Sequence, residues 1–152
     1  MKVKLLSFIC CFILFFSISV QNVSASSISS PKNKPVIEYL EDGSYIVTEW
    51  LDFAPSARSS TSRTKRATYY SANGSSVFSV SLTGYFTYTY GSSARASSQS
   101  VSVNIYDNSA SYISKSSSHS GATVYGSGTV SFGGVNRTVS LQISCDIYGN
   151  TH

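Results

Sequence analysis

Apolar and polar residues alternate with a period of two along the second half of the chain, the spacing of half-buried β-strands. Between residues 77 and 90, Phe78, Val80, Leu82, Phe86, Tyr88 and Tyr90 fall in one phase, with Gly84 among them. Ser79, Ser81, Thr83, Tyr85, Thr87 and Thr89 occupy the other. The pattern predicts one long half-buried strand, or a strand bent at Gly84. A second strand is predicted at 99–106, with Val101, Val103 and Ile105 inward, closed by the turn signal Asp107-Asn108-Ser109. Weaker alternation follows at 111–119 and 122–132, where Val124, Gly126, Gly128, Val130 and Phe132 share a phase. Gly133-Gly134 turns the chain into a last strand carrying Val135, Val139, Leu141, Ile143, Cys145 and Ile147 on one face. No helical period of 3.6 is visible beyond residue 66. Short strands at near-regular spacing predict an all-β chain, a small antiparallel β-sandwich of immunoglobulin-like or open-barrel form over 67–152.

Upstream, Val36 to Trp50 reads as a β-hairpin around Asp42-Gly43, a pair suited to a type I′ turn. The hairpin region 36–53 is acidic: Glu38, Glu41, Asp42, Glu49 and Asp52 lie there, out of seven carboxylates in the chain. A lone hairpin is marginal in water, so it has to dock or stay mobile. Residues 54–66 read as a flexible linker, with Pro55, many Ser and Thr, and Arg58, Arg63, Lys65 and Arg66. Its closing Lys65-Arg66 is a candidate processing site for a trypsin-like protease. Residues 26–35, Ser-rich with Pro31 and Pro35, read as a flexible lead-in.

The first 25 residues have the pattern of a secretory signal: Lys2 and Lys4, an apolar run from Leu5 to Phe16, and small residues at Val23-Ser24-Ala25. Cleavage is expected after Ala25, giving a secreted protein with no stable membrane insertion. The chain has 152 residues, 11 Lys and Arg against 7 Asp and Glu. Losing Lys2 and Lys4 leaves nine basic residues and a net charge of +2, so much of the basic character belongs to targeting. Cys10 and Cys11 leave too, and Cys145 alone cannot form an intramolecular disulfide. It is expected to be free or to link two copies into a homodimer.

Candidate chemistry is sparse. Cys145 and His119, with Asp107 or Asp146 as orienter, form the one conceivable nucleophile–base set. Cys145 nevertheless falls in an inward strand phase, where cysteine behaves as a small hydrophobe. Two histidines and one mature cysteine supply no metal-ligand cluster, and no cofactor is expected. Glu38 and Glu49 read as solvated hairpin charges rather than as a glycosidase pair. Arg95, Lys115 and Arg137 are the body's whole basic complement, too few convergent cations for nucleic acid. Tyrosine is abundant, 11 in the chain, and each ring combines apolar area with a polar tip. Tyr85 and Tyr106, set among Ser and Thr in outward phases, are the candidate platform for a cell-surface glycan or a protein.

Several segments carry a resemblance. Tyr69-Tyr70-Ser71-Ala72-Asn73-Gly74, Gly84-Tyr85-Phe86-Thr87-Tyr88, Gly91-Ser92-Ser93-Ala94, Val103-Asn104-Ile105-Tyr106-Asp107 and Val139-Ser140-Leu141-Gln142-Ile143-Ser144-Cys145 form a series. With Asp42-Gly43-Ser44-Tyr45-Ile46-Val47-Thr48 upstream, it resembles a family of small exported proteins of Gram-positive bacteria, over about residues 36–149. The resemblance implies a secreted β-sandwich without an assigned biochemical role. It also implies a cysteine shortly after the Gly-Ser-Ser-Ala turn, paired with one in the last strand; here that region reads Ala94-Arg95-Ala96. The sequence thus predicts a non-catalytic binding module. Its alternatives are a precursor cut after Arg66 to release an antagonistic or signalling β-domain, and a Cys/His enzyme.

Overall fold

The computed structural model describes residues 34–53 and 59–152. The predicted leader with its Ala25 cleavage point, most of the lead-in and the first residues of the predicted linker lie outside them. Eight strands follow one another: β1 (Val36–Tyr39), β2 (Tyr45–Phe53), β3 (Ser60–Tyr70), β4 (Ser76–Thr89), β5 (Ser93–Ile105), β6 (Ser111–Ser120), β7 (Thr123–Phe132) and β8 (Val135–Ser144). They form a five-stranded sheet in the order β1-β2-β3-β4-β5 and a three-stranded sheet in the order β6-β7-β8. Every pairing is antiparallel, and the sheets are not closed into a barrel. The all-β sandwich is as the alternation predicts. Its connectivity is a plain meander, because each strand pairs only with its neighbours in sequence, and so differs from the Greek key of an immunoglobulin domain.

Two local readings are corrected. Residues 60–66 are not linker: they are the first part of β3, the middle strand of the larger sheet, paired with β2 on one side and β4 on the other. The acidic hairpin is therefore the edge of the main sheet and not a separate arm. Its turn is also longer than a type I′ turn. Gly43 N–H donates to Leu40 O at 3.0 Å and Leu40 N–H to Ser44 O at 2.8 Å. Gly43 alone takes a positive φ, 79°, whereas type I′ needs two such residues, so this is a three-residue turn with a glycine bulge. Gly133-Gly134, with φ of 61° and 77°, does form the predicted tight turn between β7 and β8.

The core lies where the sheets face each other. Tyr69, Phe78, Val80, Leu82 and Phe86 from β3 and β4 meet Val124, Val130, Val139, Leu141 and Ile143 from β7 and β8. Three inward glycines set the spacing. A Cβ on Gly126 would sit 2.5 Å from Val101, one on Gly128 2.6 Å from Val103, and one on Gly84 2.7 Å from the Phe86 ring. The strands crossing there approach too closely for any side chain. Gly84 is thus a packing site, while the break in register falls beyond it, between Tyr85 and Phe86, with Ser97 the extra residue on β5.

The sheets are unequal, and that decides what is left open. β6 lies over β5, β7 over β4 and β5, and β8 over β3 and β4. Among the described residues, β1 and β2 extend past β8 with no strand opposite them.

Candidate functional site

The overhang and the edge of β8 form a groove. In the β1–β2 register Glu38 lies opposite Ile46, and in the β2–β3 register Ile46 lies opposite Tyr69 and Thr48 opposite Ala67. Directly paired residues share a face, so Glu38, Ile46, Thr48, Ala67 and Tyr69 all face the side on which β8 ends. With Leu40 they make the floor, and β8 residues 136–140 make the wall of a groove of ≈ 460 Å³. Leu40 and Ile46 are half-buried against the core, and Glu38 is exposed.

Both ends of the groove are bridged. At one end Arg137 Nη2 lies 2.6 Å from Asp42 Oδ2, and the guanidinium sits 5.8 Å from the centre of the Tyr69 ring. Asp42 also accepts from the hydroxyl and the backbone N–H of Ser44. The Ser44 hydrogen bonds, with Arg137 beside them, hold its carboxyl below the usual carboxylate value. At the other end Lys65 Nζ lies 4.6 Å over the Trp50 ring and donates to Gln142 O at 2.9 Å. Burial pulls the Lys65 ammonium below the usual lysine value. Arg63 covers the same ring at 4.8 Å. The aliphatic stems of these cations shield Trp50 where no fourth strand does.

The predicted site residues fall elsewhere. Tyr85 and Tyr106 are both exposed on the outer face of the large sheet, but they do not share a platform. The Tyr106 hydroxyl bonds Ser79 Oγ at 2.8 Å, six residues from Tyr85 along β4, or about 20 Å at strand rise. Tyr85 instead borders a shallow hydroxyl-lined depression with Ser60, Ser62, Thr87 and Ser98. Tyrosines meet in two other places, Tyr90 with Tyr148 edge to face at 5.2 Å, and Tyr39, Tyr45 and Tyr70 in a row. Tyr45 and Tyr70 stack at 4.9 Å with planes 6° apart, and Tyr39 leans on Tyr45 at 5.8 Å. Nothing in the local sequence pattern shows this row, because Tyr45 and Tyr70 belong to the hairpin and the body and meet only through the β2–β3 pairing.

Lys65 and Arg66 do not form an exposed dibasic pair. They are half-buried in the interior of β3, Lys65 on the groove face and Arg66 on the opposite one, where its Nε donates to Ser81 Oγ at 3.3 Å. Glu38 and Glu49 point to opposite faces of the sheet, since Glu49 pairs with Arg66 and Glu38 with Ile46.

Cys145 is free, 5% exposed and part of the core. Desolvation, with Asp146 beside it, pushes its thiol up to about 11. Its Sγ–H donates to Asp146 O at 3.4 Å. His119 lies opposite Val124, which lies opposite Ile143, so two strand spacings separate it from β8. Its Nδ1 is bonded to Gln99 Oε1 at 2.8 Å. The two residues make no nucleophile–base pair, and a sulfur this deep cannot meet a second copy without local opening. Ala94 and Ala96 occupy inward positions of β5 in the core, where the resemblance implies a cysteine. Asp107 and Asp146 act as turn caps: Asp107 accepts from Ser109, and Asp146 from Tyr148 and Asn150. Among the described residues no three His, Cys, Asp or Glu side chains converge as a metal site would require.

Comparison with protein-family models, with curated proteins and with solved structures finds no match for this chain.

Proposed function

We propose that the chain is an exported, non-catalytic binding module whose binding site is the groove between the β1–β2 overhang and β8. One observation carries the reading: the larger sheet leaves the inner face of two strands uncovered, with apolar Leu40 and Ile46 beside charged Glu38 and Arg137. A concave site with an apolar floor and a few polar groups is the usual form of a recognition surface. The lysine start and apolar run of the first 25 residues support export, as does the resemblance to small exported proteins.

A second reading is favoured by the Tyr39–Tyr45–Tyr70 row on the other face, with Tyr39 74% exposed. Such a row suits a sugar ring, which stacks on aromatic faces. The release of residues 67–152 by a cut after Arg66 gains no support from this fold, since that cut would fall in the interior of the central strand.

Fluorescently labelled protein added to producer cells tests the site. Ile46→Glu, which puts a charge on the groove floor, is expected to abolish surface binding while Tyr39→Ser leaves it intact. Loss with Tyr39→Ser alone would move the site to the tyrosine row. If neither change affects binding, the groove reading is wrong.

A further inference from the structure

We infer that the groove takes a single extended peptide, which adds to β8 as the fourth strand of the smaller sheet. The inference rests on the groove being the binding site and names what fills it.

The edge of β8 is built to accept a strand. Ser144 N–H donates to His152 O at 2.8 Å, and His152 N–H donates back to Ser144 O at 3.0 Å. Thr151 bridges Cys145 in the antiparallel sense. The molecule therefore already seats two residues of its own on this edge. In an antiparallel ladder the backbone groups of alternate residues point to the same side. Asn136, Thr138, Ser140 and Gln142 accordingly present N–H and C=O to the edge that Ser144 uses. Of these, Gln142 O is taken by Lys65 Nζ, which leaves Asn136 to Ser140 facing the groove.

The space beside β8 admits an added strand. An added strand would lie about 4.8 Å from β8, and the overhanging sheet lies about one sheet spacing, ~10 Å, beneath it. Inward side chains of such a strand would meet Leu40, Ile46 and Thr48, which no other strand covers. Between the Arg137–Asp42 bridge and the Lys65–Gln142 bridge there is length for about five residues at strand rise. A second copy cannot enter edge to edge. Pairing β8 with the β8 of another molecule would bring that molecule's own β1–β2 overhang beneath the first β8, where β3 and β4 already lie. The occupant is thus a lone extended segment from a partner.

Charge says which kind. Glu38 stands on the groove face of β1, exposed, while Arg137 is occupied by Asp42 and Lys65 by Gln142. Beside Glu38 the charge offered to an entering side chain is negative, whereas Lys65, bonded to a neutral carbonyl, keeps its positive charge at the Trp50 end. The fitting peptide alternates, with apolar residues facing Ile46 and a Lys or Arg at the position beside Glu38. Recognition of this form draws its affinity from main-chain hydrogen bonds and its selectivity from alternate side chains.

The test uses a display library of short linear peptides selected on the full chain, with synthetic versions of the enriched peptides titrated afterwards. Enriched sequences should alternate apolar and polar residues and carry a basic residue, and binding should protect the amides of Thr138 and Ser140 from hydrogen exchange. Ser140→Pro deletes one outward N–H at a position where an edge strand tolerates proline. It is expected to weaken binding about tenfold, the loss of one well-aligned backbone hydrogen bond. Glu38→Gln should relax the preference for the basic residue. If Ile46→Glu abolishes binding but Ser140→Pro does not, and Thr138 and Ser140 stay unprotected, the groove binds peptide without strand addition and this inference fails alone. If the enriched peptides bind Ile46→Glu as well as the native chain, the groove itself is not the site. The exchange measurement on the unsubstituted chain decides the matter even where Ser140→Pro does not fold.

Discussion

Arg137 and Asp42 are ninety-five residues apart in sequence and 2.6 Å apart in space, and their ion pair ties the edge of the small sheet to the turn of the acidic hairpin. Both side chains are partly exposed, 29% and 41%, so the pair is more a fixed doorpost of the groove than a source of stability. Replacing Arg137 by Met, which keeps the stem over Tyr69, is expected to lower the urea midpoint slightly in dilute buffer and not at all in molar salt. Parallel denaturation curves at the two ionic strengths check this, because screening removes the contribution of an exposed pair.

The same carboxylate takes part in an acid-side prediction. Ser44 and then Arg137 hold Asp42 low, and the side-chain and backbone bonds of Ser109 do so for Asp107. Burial opposes ionisation of Asp146, but Asn150, Tyr148 and the charge of His152 outweigh it and lower that carboxyl too. A folded value below the unfolded one means stability that is present above the ordinary carboxylate value near ~4 and lost as pH falls through the folded values. The urea midpoint should therefore fall as pH drops below about 4, with Asp42→Asn making the decline shallower. A midpoint that stays level from neutrality to pH ~2 would contradict the three caps together.

Gly126 and Gly128 mark where the sheets touch. A Cβ on Gly128 would meet Val103 at 2.6 Å and Val80 at 2.8 Å, all side chains of a packed core with little room to give. Gly128→Ala should cost about 1–3 kcal/mol through overpacking, and the doubly constrained Gly126→Ala a similar amount. Gly121, whose added Cβ would meet nothing within 4 Å, is the matched control for crowding, although its φ of 56° adds a smaller backbone penalty. Thermal melts of the three variants rank these effects.

The Lys65-Arg66 bond should resist trypsin in the native chain. A protease needs an extended segment free of its neighbours, and Lys65 and Arg66 are paired with Trp50 and Glu49 on one side and with Leu82 and Ser81 on the other. Cleavage there is expected to require opening of the sheet and so to follow overall stability, proceeding faster in Gly128→Ala than in the native chain. Mass spectrometry of a trypsin time course reads this directly. Rapid native cleavage after Arg66, leaving a folded 67–152 fragment, would restore the precursor reading.

The alternation of Phe78 to Tyr88, the glycine phase of β7 and the last strand were legible because both sheets cover those positions and leave only apolar or small residues inside. β3 was not legible for the converse reason. Its inward residues Arg63 and Lys65 lie against the Trp50 ring, with Lys65 reaching Gln142 O on β8, so they cover the ring with their stems and keep their charges at the surface. A polar stretch of this kind has the composition of a linker although it is the centre of a sheet. The groove was hidden by the same unevenness. That Glu38 and Ile46 face β8 follows from the five-over-three stacking, which no local pattern encodes. The tyrosine row was lost with it, since Tyr45, which carries Tyr39 beside it, stacks on Tyr70 only when the hairpin is the edge of the body's own sheet.

Cys145 provides the last prediction. Its thiol is raised from 9.0 to about 11 by desolvation and by Asp146, so near pH 8 the folded chain holds about a hundredfold less thiolate than the unfolded one. Alkylation by iodoacetamide at that pH should be slower by at least that factor in buffer than in denaturant, and no disulfide-linked dimer should form while the chain is folded. The linkage runs in a fixed direction. Between the unfolded and folded values the unfolded chain loses its thiol proton first, so stability is intact below pH 9.0 and declines as pH rises toward about 11. Cys145→Ala should remove that alkaline decline while leaving a small cavity in place of the sulfur. Fast alkylation of the native chain, or an alkaline limb unchanged in Cys145→Ala, would show that the thiol is not held in the core as the packing of Cys145 requires.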